Sequence, residues 1–129
     1  MDQTFRVLAQ VEGGITFTLE IDVSKSPIIA EELYYLLPFT SRLILDPSRK
    51  YALIRIPTRR ELGVPLEIKD LKPGDVCYVP IVKSLALIFD KVAISYPNQV
   101  IGRILNLEEA RRLKKSPLSL NITLSYSRK

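Results

Sequence analysis

The chain is poor in side chains suited to chemistry. Histidine is absent, and Cys77 is its single cysteine. The commonest general base, the commonest metal ligand and every nucleophile activated by an imidazole are therefore missing. One cysteine also leaves no basis for a structural zinc site, so no metal and no cofactor is expected. Cys77 follows Val76 and precedes Tyr78-Val79, with no local cation to lower its pKa, and reads as a buried, inert thiol. The acidic pairs Glu31-Glu32 and Glu108-Glu109 are adjacent in sequence. Neighbours on a helix point in different directions, so neither pair is an acid/base couple; capping and helix-dipole effects account for them. Gly13-Gly14 is too short for a phosphate loop and precedes a strand.

The elements that must position these residues follow from periodicity. Phe5, Val7, Ala9 and Val11 alternate with more polar positions, as do Ile15, Phe17, Leu19 and Ile21. Period two marks two half-buried strands, and Gly13-Gly14 supplies the positive φ of a tight hairpin between them. Ser26-Pro27 opens a helix whose stripe is Ile29, Leu33, Leu36 and Leu37, and Pro38 ends it. Tyr34 and Tyr35 are adjacent on that helix, so at most one faces the core.

Strands are expected near residues 39–45 and 51–57, joined by the turn Asp46-Pro47-Ser48-Arg49. Residues 58–75 read as a long connection with a short strand around Leu66 to Ile68. Strands at 77–79, 85–89 and 100–105 come next. Asn106-Leu-Glu-Glu109 has the form of a capping box, with Leu107, Ala110 and Leu113 inward, Lys114 and Lys115 at the end favourable to cations, and Pro117 as the stop. Leu120, Ile122, Leu124 and Tyr126 face inward on a closing strand. Eight strands suffice to close a small barrel filled by side chains. The helices follow the second and seventh strands, where each can cover one open end. The expected fold is mainly β: a closed eight-stranded antiparallel barrel capped by two short α-helices, in a single domain spanning residues 1–129.

The 129 residues carry a net charge of +5 and a pI near 9.4. Such a balance can attract nucleic acid. Its basic residues are scattered, however, with dense groups only at Arg59-Arg60, Arg111-Arg112 with Lys114-Lys115, and Arg128-Lys129. A solvated surface explains them better than a phosphate platform, so nucleic acid is not the expected partner. Every apolar run is broken by charge or proline, so no membrane span is expected, and the N-terminal residues lack a secretory pattern. Cytoplasmic residence is the default expectation.

Four stretches in order resemble the cyclophilin-like family of small bacterial and archaeal proteins: Leu36-Leu-Pro-Phe39, Gly74-Asp-Val-Cys-Tyr-Val-Pro80, Leu85-Ala-Leu-Ile-Phe89, and Val100-Ile-Gly-Arg-Ile104 leading to Leu107-Glu-Glu-Ala-Arg-Arg-Leu113. The resemblance runs from about residue 4 to 126 and implies the capped eight-stranded barrel. True cyclophilins are peptidyl-prolyl isomerases, and the chain departs from them: their Gln-Gly-Gly-Asp segment, tryptophan and pocket histidine are missing.

Isomerisation crosses a barrier of ~18–20 kcal/mol, which a desolvated arginine lowers by donating to the prolyl nitrogen as amide resonance breaks. Arg42 and Arg55 stand on the two corresponding strands, and Tyr51 shares a strand face with Arg55. The plainer reading is that both arginines face solvent on the barrel's outer surface. Phe89, Tyr96 and Gln99 fall where the family's pocket-lining segments would lie; core and loop packing is their plainer role. The expected function is a binding module for a small molecule or short peptide, its site on the outer sheet face around Arg42, Tyr51, Arg55, Phe89, Tyr96 and Gln99. The alternatives are a prolyl isomerase using Arg42 or Arg55, and a basic nucleic-acid binder. The expected assembly is a monomer or weak homo-oligomer, with Tyr34, Tyr35 or the strand bearing Leu53 as a self-association patch.

Overall fold

The computed structural model describes residues 3–62 and 70–128. Its strands are β1 (Thr4–Val11), β2 (Thr16–Asp22), β3 (Phe39–Leu45), β4 (Tyr51–Arg55), β5 (Asp70–Leu71), β6 (Asp75–Val79), β7 (Ser84–Ile88), β8 (Val92–Ala93), β9 (Gln99–Ile104) and β10 (Ser119–Ser127). Helix α1 is Pro27–Leu36; α2 is the single turn Leu107–Ala110, continued as 3-10 helix over Arg111–Lys115. Eight strands close an antiparallel barrel in the order β1-β10-β3-β4-β7-β6-β9-β2, and β5 and β8 form a separate two-stranded ladder. The anticipated strand around residues 66–68 lies outside the described residues. The β5–β8 ladder was not foreseen, two residues being too short to show a period.

Alternation in the strands becomes burial in the barrel. Val7, Ala9, Phe17, Leu19, Leu43, Ile54, Leu85, Leu87, Ile122 and Leu124 are almost fully buried in one cluster. Both helices feed that cluster: Ile29, Ala30 and Leu33 from α1, and Ala110 with the following Leu113 from α2. Helix α1 leaves the C-terminal end of β2. Helix α2 begins beside its other end, where Leu105 N donates to Thr18 O at 2.9 Å. The plugs therefore close opposite mouths.

The hairpin before β2 runs through Gly13 (φ +97°) and Gly14 (φ +103°), a conformation that L side chains resist. Helix α1 stops because Leu37, ahead of Pro38, is extended (φ −68°, ψ 140°). The capping expectations need correction. Neither Ser26 nor Asn106 caps its helix through its side chain. Asn106 Oδ1 instead accepts from Thr18 N at 2.7 Å, fastening the start of α2 to β2. Tertiary pairing outcompetes the local cap because the β2 amide would otherwise lack a partner.

Strand β7 is buried on both faces. A second cluster of Leu71, Cys77, Val79, Ala86, Ile88 and Ile94 covers its outer side. This explains the unbroken apolar run Leu85-Ala-Leu-Ile-Phe89: a strand covered on both sides has no solvent face to mark with polar residues. The tightest backbone approach lies on β9. A Cβ on Gly102 would stand 2.1 Å from Glu20 O on β2, beside the irregular register at Val76/Cys77. Gly102→Ala should destabilise the protein by about 2–3 kcal/mol through overpacking, seen as a lower urea midpoint; an unchanged midpoint would contradict so close a β2–β9 approach.

Candidate ligand-binding site

The end of the barrel plugged by α1 carries a cleft of about 410 Å³. Its position follows from strand geometry. Phe5 is near the start of β1 and Tyr126 near the end of β10, and the register that pairs Val7 with Tyr126 brings the two termini to one rim. Tyr34 on α1 meets both. Its ring centroid is 5.5 Å from Phe5 at an interplanar angle of 78°, and 5.6 Å from Tyr126 at 85°. Tyr35 stands 5.8 Å from Tyr34 at 75°. All are edge-to-face contacts, the arrangement favoured by ring quadrupoles. Ala30 and Glu31 of α1 complete the helix side of the cleft.

The tyrosines are not core residues. Tyr34 is 45% exposed, Tyr126 49% and Tyr35 73%. Helix α1 faces the core with Ile29, Ala30 and Leu33, which leaves Tyr34 leaning over the rim. Its two glutamates diverge as adjacent helical residues must. Glu31 borders the cleft. Glu32 turns to the loop after β4, accepting from Thr58 Oγ1 at 2.6 Å and Arg60 Nη1 at 3.1 Å. Half of the Arg59-Arg60 pair is thus tied to a carboxylate.

The residues expected to form one outer-face site do not converge on either cleft, although β3–β4 pairing sets Arg42 and Arg55 on neighbouring strands. Arg42 is exposed and bound to β10, donating to Asn121 Oδ1 at 2.8 Å and Ser119 Oγ at 2.6 Å. Arg55 is exposed at the end of β4. Gln99 donates through Nε2 to Lys25 O at 2.7 Å, near the entry to α1. Phe89 requires correction: it is fully buried in the barrel core and cannot line an outer face. It closes the β7 run, its ring packed in the core and its carbonyl accepting from Arg111 Nε at 3.0 Å and Nη2 at 2.8 Å.

Tyr51 and Tyr96 do lie near each other, with Asp46. Burial lifts the Tyr51 phenol above its usual pKa, and the charge of Asp46, to which it is hydrogen-bonded, adds to the rise. At Asp46 burial works to raise the carboxyl, but hydrogen bonds from Ser48 and Tyr51 outweigh it and leave the pKa below the ordinary value. Close by, Arg49 sits at φ +62° and donates to Lys114 O at 2.7 Å and Ser116 O at 3.0 Å, clamping the segment after α2. These contacts make a structural corner.

A second, more open cleft of about 560 Å³ includes Ile15, Glu108, Arg111, Arg112 and Lys115. Two of its cations are paired, Arg111 with Glu108 at 3.0 Å and Arg112 with Glu109 at 2.7 Å. Lys114 pairs with Asp90. The basic run is therefore largely answered by acids, as a solvated surface would be. Among the described residues no group of acids and cysteine could hold a metal ion, and no helix is long and apolar enough to cross a membrane.

No family model matches the chain, and no curated protein matches it. Solved structures do. The chain is similar to the solution structure of the hypothetical protein AF2241 from Archaeoglobus fulgidus, with TM-score 0.74, 20% identity and 98% of each chain covered. It is also similar to McbB, solved in complex with tryptophan, with TM-score 0.77 and 16% identity. That match takes in 95% of this chain and 45% of the McbB chain. At these identities the likeness is one of fold.

The sequence reading missed Phe5, Glu31 and Tyr126 as cleft residues, and treated Tyr34 as a helix-surface or core residue. The available signal was three aromatics at the ends of elements; without the β1–β10 register nothing brings them together. Two expectations follow. Burial pushes the Cys77 thiol up to about 12, helped by the Asp75 charge, so a thiol-specific disulfide reagent should label Cys77 only on unfolding, and rapid native labelling would contradict its burial. Asp46 has a lowered folded-state pKa, so its stabilising contribution is present above its unfolded pKa of about 3.9 and lost as pH falls through the lower folded value. Asp46→Asn should therefore lower the urea midpoint at pH 7, with the gap to wild type narrowing in strong acid; a pH-independent gap would refute the linkage.

Proposed function

We propose that this chain is a cyclophilin-like barrel acting as a binding module, with a small planar organic molecule held in the cleft between α1 and the rim of β1 and β10. The carrying observation is the perpendicular packing of Tyr34 against Phe5, Tyr35 and Tyr126, with three of the four rings substantially exposed. Ligand pockets typically enclose ~300–1,000 Å³, mostly apolar with a few polar groups. This cleft, at about 410 Å³, falls within that range. Rigid aromatic rings at its edge supply contact area with little rotamer entropy to lose. The neighbour solved with tryptophan lends the reading support by fold analogy alone. The ordered motifs from Leu36 to Leu113 support the cyclophilin-like kinship, and the lone buried Cys77 suits a cytoplasmic setting.

The isomerase alternative gains nothing from the geometry. Arg42 is engaged by β10, and neither described cleft includes Arg42 or Arg55. In a protease-coupled prolyl-peptide assay the uncatalysed rate is expected; acceleration lost in Arg42→Ala or Arg55→Ala would reverse the preference. For the binding reading, titration with indole and L-tryptophan, followed by amide shifts, should give saturable changes at Ala30, Glu31, Tyr34 and Tyr126. Tyr126→Ala should weaken them roughly five- to tenfold, the loss expected for one aromatic contact of about 1–1.5 kcal/mol. Shifts confined to Arg42 and Arg55 would move the site back to the outer sheet face.

A further inference from the structure

The two clefts differ in the charged side chains that line them, and that difference bears on what the aromatic one accepts. Arginine and lysine total 19 residues in this chain, yet among the described residues none lines the cleft at Tyr34, where the charged lining residue is Glu31. The open cleft at the other helix holds three cations, Arg111, Arg112 and Lys115, against one lining acid, Glu108. An anionic ligand would find cations there and, among the described residues, none at Tyr34. The aromatic rings carry negative faces, and cations are attracted to such faces within about 6 Å of the centroid. Because Phe5, Tyr35 and Tyr126 each stand within 15° of perpendicular to Tyr34, ring faces and edges meet as the walls of a corner. Glu31 is exposed beside that corner, free of the Thr58 and Arg60 contacts that occupy Glu32.

We infer that the cleft selects a small organic cation, an aryl- or alkylammonium ion seated against the tyrosine rings with its charge toward Glu31. The inference rests on the binding reading above and adds the charge class of the ligand. Ring faces attract the ammonium group while excluding water from one side of it, and the Glu31 carboxylate supplies the opposite charge without a buried, unpaired ion on either partner. Anions are repelled by the same two features.

The test uses the full chain and three probes of one size: benzylammonium, benzyl alcohol and benzoate, each titrated with amide shifts as readout. Benzylammonium is expected to bind at the cleft about tenfold more tightly than benzyl alcohol, with benzoate weakest. Glu31→Gln should reduce that preference several-fold, and Tyr35→Leu, an exposed position, should weaken benzylammonium more than benzyl alcohol. Equal binding of all three probes would overturn cation selection and leave the binding reading standing. If no probe moves the cleft amides, both readings fall. Cleft shifts that depend on protein concentration without any probe would mean that a second copy of the chain occupies the site, which also overturns the inference.

Discussion

The ladder between β1 and β10 is the constraint on which the rest of the molecule depends. Its register runs from Arg6 opposite Ser127 to Val11 opposite Ile122, and it joins the outermost barrel strands in sequence. Without it the sheet would be open, with two edges of unpaired backbone amides and carbonyls and no enclosed interior. With it, inward residues from eight strands share one core, and each mouth of the cylinder becomes apolar surface that a plug must cover. Helices α1 and α2 exist as buried elements because of that demand. Their own sequences supply weak caps and short lengths, and a one-turn helix such as α2 has little stability apart from its packing.

The same closure creates the cleft. At the mouth under α1, the inward row of β1 ends in Phe5 and that of β10 in Tyr126, both beyond the layers that Ile29 and Leu33 fill. A ten-residue helix laid across the opening cannot bury every rim side chain. Tyr34 settles between the two rings and remains 45% exposed. Aromatic surface is thus left at the seam by the geometry of plugging a cylinder with a single short rod. Charge is distributed unevenly around this framework. The cations of the α2 region are largely matched by Glu108, Glu109 and Asp90, while Glu31 borders the tyrosine seam.

A second layer outside the barrel explains another departure from simple alternation. The β5–β8 ladder and the cluster around Leu71, Ile88 and Ile94 cover β6 and β7. Cys77 is enclosed there, with its thiol deprived of solvent. That side of the barrel is structural, and Tyr51, with its hydrogen bond to Asp46, belongs to its margin. Arg49 performs a related task by holding the carbonyls that follow α2, which secures the second plug against the β3–β4 turn.

Residue order alone was enough to read the alternating strands, the Gly13-Gly14 hairpin, the Asp46 turn, the break at Pro38, the placement of both plugs and the burial of Cys77. Each is a local property, legible from period two, from φ preferences or from the apolar neighbours of the thiol. Contacts between distant segments made Phe89 core, held Arg42 to Asn121 and Ser119, turned Asn106 to β2 rather than its own helix, and set Phe5, Tyr34 and Tyr126 on one rim. These are outcomes of strand pairing between residues up to 120 positions apart, as Arg6 and Ser127 of the register differ by about that number. A period of two tells each side chain which face it takes. It carries no record of which distant strand will lie beside it, because pairing is settled by closure of the whole sheet.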